Sequence, residues 1–294
     1  MTKENKIHLT DEEGFAQGWL PPYSNDKEFL KSRIDFFQNN NKNAIKYLTH
    51  TYSDFIESFE RSLSSHSFIK INGLEKFRQK DVITGCQHFI DQLIMTHGID
   101  KLQVFDGGYN YYRRLNPKIK YVTIDTMQSG RPMILEHPFP RNGDKHPQYE
   151  EIISKANELG TDVYLDCAWL PIAWDINLDL NEPCIKGLCM SLSKPFGLHW
   201  SRIGVRWMKE DCYDTIAIEN EFRMVSYPNV MIGMYHLDRF PMDHLVKKYR
   251  SAYLELCRQH DLTPAKTIMS AYSKKNKKMV GVANLLLNKI NETD

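Results

Sequence analysis

The sequence predicts an α/β protein: a large domain with a mainly parallel sheet flanked by helices, plus a small, mostly helical C-terminal lobe. Three observations predict it. From about residue 66, short apolar runs that read as strands alternate with segments of helical periodicity. Gly85, Asp106, Asp166 and Lys194 fall at the ends of such runs, where open α/β sheets keep their binding groups. Beyond about residue 210 the pattern turns mostly helical.

Composition sets the frame. A chain of 294 residues, 41% hydrophobic and 26% charged, can bury one large core and a smaller lobe. Its net charge of +1 gives no footprint for nucleic acid or a polybasic membrane surface. No apolar run approaches the ~18 residues of a membrane span, and the polar stretch from Met1 to Thr10 lacks the apolar core of a secretory signal. Cys86, Cys167, Cys184, Cys189, Cys212 and Cys257 form no CxxC pair, and the histidines show no HExxH spacing, so no metal is expected. Buried free thiols fit a reducing, cytoplasmic compartment.

Taken in order, residues 1 to about 25 read as an arm, because Pro21 and Pro22 interrupt the apolar stretch Trp19–Tyr23. Residues 26–39 and 43–63 read as helices; in the second, Ile45, Leu48, Tyr52, Phe55, Ile56 and Phe59 recur at helical spacing. The strand candidates are 68–71, 82–83, 102–105, 120–124, 133–136, 163–166, 185–190 and 203–208. Helices are expected at 86–97, 109–115 and 148–159, the last stopped by Gly160. C-terminal helices are expected at 214–223, 243–260 and 284–290. The implied division is an N-terminal arm and helices (1–65), a large α/β domain (66–210) and a C-terminal domain (211–294). The lysine-rich patch 274–278 reads as a solvated turn.

The chemistry concentrates in Ser191-Leu192-Ser193-Lys194-Pro195-Phe196-Gly197, with Arg202 following on the same loop. A lysine just past a buried strand is placed to hold an aldehyde as a Schiff base. Partial burial and nearby positive charge lower its pKa and free its nucleophilic form. Arg202 offers a fork of donors that fits a phosphate, and the Ser191 and Ser193 hydroxyls add more. Gly85-Cys86-Gln87 lies at a strand-to-helix turn, whose free backbone N–H groups favour the same anion. Asp166 ends the apolar strand Val163-Tyr164-Leu165, and a buried carboxylate there needs a partner such as a protonated pyridine nitrogen. Tyr109, after Asp106-Gly107-Gly108, is placed to stack on a ring, with Tyr111 and Tyr112 as alternatives. Together these are the groups that pyridoxal 5'-phosphate (PLP) requires.

In these segments the chain resembles the fold-type I PLP-dependent enzymes, in particular the class I/II aminotransferase family (aspartate aminotransferase-like). The Ser191–Lys194 and Arg202-Ile203-Gly204 segments match that family's S-x-S-K…R-x-G pattern, and Val163–Trp169 resembles its strand ending in D-x-A-Y. Ile83–Gln87 resembles its phosphate-binding turn, Phe105–Leu115 its ring-stacking segment, and His137–Gly143 its N-P-x-N-P-T-G loop. The resemblance spans about residues 66–210. It implies a PLP-dependent transferase-like fold and a homodimer with sites near the subunit interface. It assigns Lys194 as Schiff-base lysine and general base, and Asp166 as partner of the pyridine nitrogen. Gly85, Cys86, Gln87, Ser191, Ser193 and Arg202 would hold the phosphate, and Tyr109 would stack on the ring.

This chain departs from the family pattern at two places. Trp169 stands where a tyrosine usually bonds the cofactor's 3-oxygen, and Pro140 replaces the usual asparagine, with Asn142 as a shifted stand-in. Arg223 and Arg239 are the candidates for a late, carboxylate-binding arginine. The expected function is a PLP-dependent aminotransferase acting on an amino acid or related amine and a keto acid. The alternatives are a PLP lyase, decarboxylase or racemase, or a non-catalytic protein on a decayed PLP fold.

Overall fold

The computed structural model describes residues 26–47, 50–275, 277–283 and 285–287. The expected arm at 1–25 lies outside these residues, as does most of the expected helix at 284–290, of which 285–287 are helical.

A five-stranded sheet organises the chain. Its strands are β2 (Gln79–Ile83), β3 (Met133–Glu136), β4 (Val163–Asp166), β6 (Ile185–Ser191) and β7 (Gly204–Met208), in spatial order β2-β7-β6-β4-β3. The parallel pairs β3–β4 and β4–β6 adjoin β7, which runs antiparallel to both its neighbours, β6 and β2. Four of the five strands therefore point the same way, and their carboxyl ends share one edge.

Side chains alternate across a strand, so each strand feeds two layers. On one face Ile134, Tyr164, Cys189 and Met208 pack with Cys86, Phe89, Ile90 and Leu93 of α4 (Cys86–His97). On the other face Met133, Leu135, Val163, Leu165, Leu188, Met190, Val205 and Trp207 join the larger core. That core takes Phe55 and Phe59 from α3 (Tyr52–Ser64), Ile152 and Ile153 from α6 (Tyr149–Leu159), and Val230 and Met234 from α8 (Tyr227–Leu237). The same alternation fixes the polar ends: Glu136, Asp166 and Ser191 project toward the α4 side, in step with Ile134, Tyr164 and Cys189.

The remaining elements frame this sheet. Helix α1 (Lys27–Gln38) is capped by Asp26, whose carboxylate accepts from Glu28 N and Phe29 N. α2 (Asn40–Tyr47) follows. The single helix expected over 43–63 is broken, because Thr51 is extended and opens α3 with a capping box to Asp54. The expected strands at 102–105 and 120–124 reduce to the isolated parallel bridges Gln103–Met133 and Phe105–Val122. α5 (Tyr111–Leu115) lies between them in sequence.

Beyond β7, α7 (Thr215–Glu221) and α9 (His244–Gln259) lie close to their expected positions. α8 was not expected, nor was the antiparallel sheet β10-β9-β8 of β8 (Leu262–Pro264), β9 (Ser270–Ser273) and β10 (Lys278–Gly281), so the C-terminal part is less purely helical than the sequence pattern implies. A parallel pair, β1 (Ile69–Asn72) with β5 (Ile176–Asp179), completes the fold. Among the described residues no helix is long and apolar enough to cross a membrane.

Candidate active site

A cavity of about 210 Å³ opens at the shared carboxyl edge. It is lined by Cys86, Gln87, Tyr109, Asp166, Trp169, Ser191, Ser193, Lys194 and Arg202, which are nine of the ten residues singled out in the sequence. The tenth, Gly85, lies against it: a Cβ there would sit 3.0 Å from the Arg202 guanidinium, and its φ of +95° suits glycine. Gly85 opens α4, so the backbone N–H groups of the first helical turn face the Arg202 end of the cavity. Arg202 is steadied by a bond from Nε to the carbonyl oxygen of Thr84 (3.1 Å).

Lys194 and Arg202 sit on one loop because β6 and β7 are hairpin neighbours. Ser191 pairs with Gly204, and Leu192 N donates to Ile203 O (3.0 Å) at the loop base. Gly204 permits this approach, since a Cβ would fall 2.2 Å from the carbonyl oxygen of Met190. Burial lowers the Lys194 ammonium to a pKa of about 8; the charge of Arg202 pushes it down, and Cys86 and Asp166 pull it back up. Burial raises the Asp166 carboxyl, against a bond from Ala168 N (3.0 Å) and the Lys194 charge, which favour its ionised form. Cys86, Asp166 and Cys189 converge to within 4.8 Å, and the first two line the cavity. Burial holds the Cys189 thiol well above its ordinary value, so it stays neutral beside the aspartate.

Ser193 Oγ is buried without a hydrogen-bond partner. This hydroxyl, the first turn of α4 and the Arg202 fork make an anion cradle. Tyr109 and Ala168 also line the cavity, with Tyr109 stacked on Tyr111 at 5.6 Å.

The sequence reading missed Glu136, Asn110 and His199, which line the cavity together with Pro138 and Pro140 of the His137–Gly143 segment. Glu136 carried the signal that picked out Asp166, a carboxylate closing an apolar strand. Burial, with the Asp166 charge adding to it, pushes the Glu136 carboxyl up to about 7 despite a bond from Tyr109 N. Asn142 does not reach the cavity; its amide closes a local turn onto Lys145 O and Asp144 N. Arg223 and Arg239 do not line it either, Arg239 lying 3.4 Å from the Tyr235 ring centroid. A larger groove of about 770 Å³ beside β1 and β5 shares no residue with this site.

The architecture is the fold of the fold-type I PLP-dependent enzymes. Tyrosine aminotransferase from Leishmania infantum is similar over 99% of this chain and 97% of its own, with a TM-score of 0.61 at 11% identity. The PLP-bound C-S lyase from Staphylococcus hominis is similar over 92% of this chain and 79% of its own, with a TM-score of 0.61 at 12% identity. L-threonine-O-3-phosphate decarboxylase from Porphyromonas gingivalis is similar over 85% of this chain and 96% of its own, with a TM-score of 0.54 at 12% identity. No protein-family model and no curated protein matches the sequence.

Proposed function

We propose that this chain is a pyridoxal-phosphate-dependent enzyme acting on an amino acid or related amine, and that its reaction is aminotransfer. One observation carries the reading: a single cavity holds a lysine of lowered pKa, a buried aspartate and an anion cradle, the chemical partners that an aldehyde, a protonated ring nitrogen and a phosphate call for. The unpartnered Ser193 hydroxyl fits the same group. Bound there, the cofactor supplies an electron sink for the charge released when a bond at the substrate's α-carbon breaks. Lys194 would hold the aldehyde through Nζ and, as a free amine, would accept the proton from the substrate α-carbon on Nζ. Asp166 keeps the ring nitrogen protonated. Gly85, Cys86, Gln87, Ser191, Ser193 and Arg202 hold the phosphate, and Tyr109 with Trp169 bounds the ring.

Aminotransfer is chosen over a lyase or decarboxylase reaction as the family's commonest outcome; the three related folds span all three chemistries. The large domain, 66–210, supplies the cofactor site. A homodimer and a cytoplasmic location belong to the same reading, and the six free cysteines are in keeping with the second.

The test is an absorption spectrum with added PLP for wild type and Lys194→Ala, followed by a screen of amino donors for keto-acid formation. A visible band that borohydride removes, absent from the variant, is the expected result. No band at any cofactor concentration refutes the enzyme reading. A band with amino-acid turnover that needs no keto-acid acceptor, and that releases ammonia or carbon dioxide instead, replaces aminotransfer by lyase or decarboxylase chemistry.

A further inference from the structure

Glu136 places a second carboxyl group in the cavity, and the roles above leave it unused. It closes β3 directly opposite Asp166 in the parallel register. Its side chain is only 3% exposed. Oε1 accepts a bond from Tyr109 N (2.8 Å), whereas Oε2 is buried without a hydrogen-bond partner. Gly108 presses so close that a Cβ there would lie 2.7 Å from Oε2, so the carboxyl is clamped in place. The titratable groups that face it are Asp166 from β4 and Tyr112 from α5; neither brings a positive charge, and the Tyr112 hydroxyl, which favours the ionised form, is outweighed by burial and the Asp166 charge. Lys194 acts on Asp166 instead. Two carboxyls this close divide their roles: Asp166 takes the negative charge, and Glu136 keeps a proton on the oxygen that lacks a partner. Burial and the Asp166 charge hold its pKa near 7, which is consistent with that division.

We propose, resting on the PLP reading, that Glu136 is a positioning residue for the cofactor, donating a hydrogen bond from Oε2–H to the ring's 3-oxygen. Donors and acceptors match on the ring edge. Anionic Asp166 suits the protonated nitrogen, and an un-ionised carboxyl suits the anionic phenolic oxygen. The proline at 140 offers no donor for that oxygen. No proton changes owner in this contact; it holds the ring in register and shares charge with the 3-oxygen.

The experiment compares wild type, Glu136→Gln and Glu136→Leu, each titrated with PLP and followed by visible absorption from pH 5 to 9. Dialysis gives the cofactor dissociation constant in parallel. Wild type is expected to show a spectral change with its midpoint above 7, because a bond donated to the anionic 3-oxygen holds the carboxyl's proton past its cofactor-free value of about 7. Glu136→Gln keeps a donor and cannot ionise. It should bind the cofactor within about threefold of wild type and lose that spectral change. Glu136→Leu should bind about tenfold or more weakly, the loss expected for one hydrogen bond to a charged group. A wild-type midpoint that persists in Glu136→Gln, or Glu136→Leu binding as tightly as wild type, refutes the role of Glu136 and leaves the cofactor reading standing. Absence of any visible band in wild type removes both.

Discussion

The reactivity of Lys194 follows from where its amine is held. With a pKa of about 8 in place of the ordinary 10.5, close to a tenth of the side chain is free amine at pH 7. An unperturbed lysine would be free in roughly one part in 3,000, so the site raises the nucleophilic fraction about 300-fold. Burial is the main cause, and the charge of Arg202 adds to it. The assay is the rate at which the protein captures pyridoxal, followed by visible absorbance across pH. Pyridoxal carries no phosphate, so the phosphate-binding role proposed for Arg202 drops out. The rate should climb close to tenfold per pH unit and level off near pH 8. Arg202→Met should move that inflection upward, and Lys194→Ala should abolish capture. An inflection near 10.5, or one that Arg202→Met leaves in place, refutes the argument that burial and Arg202 together free the amine.

Two further outcomes test the scaffold. Arg206 is fully buried and bonds Asp81 on β2 (2.9 Å, from Nε) and Asp214 at the cap of α7 (2.5 and 2.7 Å, from its two terminal nitrogens). Arg206→Met leaves both carboxylates uncompensated and should cost about 3–5 kcal/mol in urea denaturation; a loss below about 1 kcal/mol would count against the network. Glu136 also links stability to pH. Its folded pKa is raised, so its contribution is full below the unfolded value of 4.5 and is lost as pH rises through about 7. In the cofactor-free protein, Glu136→Gln should therefore gain stability relative to wild type between pH 4.5 and 7 by up to roughly 3 kcal/mol. A stability difference independent of pH would show that the carboxyl is not held in its acid form.

How much was legible in the sequence depended on whether a signal was local. Cys86–His97 is bounded by Gly85 and Gly98, and Tyr149–Leu159 stops at Gly160 in the left-handed region, so both helices could be read from backbone chemistry alone. Lys194 and Asp166 stood out because a charged residue closing an apolar strand is costly wherever the strand lies. Strands 102–105 and 120–124 were read from composition, but a strand exists only if a neighbour pairs with it, and these find isolated bridges. Helix α8 escaped notice because every residue from Val230 to His236 is buried, which leaves no polar face for periodicity to reveal.

By itself the sequence determined which residues stand out as candidates and their order along the chain, because each is set by its own strand end, turn or loop. Only the tertiary structure decided that Glu136 joins them. Its face follows from period-two alternation within β3, but its nearness to Asp166 follows from the parallel register of β3 with β4, and its clamp from Gly108 on a separate loop. Register and loop closure are set by contacts between residues far apart in the chain. A carboxylate's neighbours, and with them its protonation, are therefore fixed only once the sheet has formed.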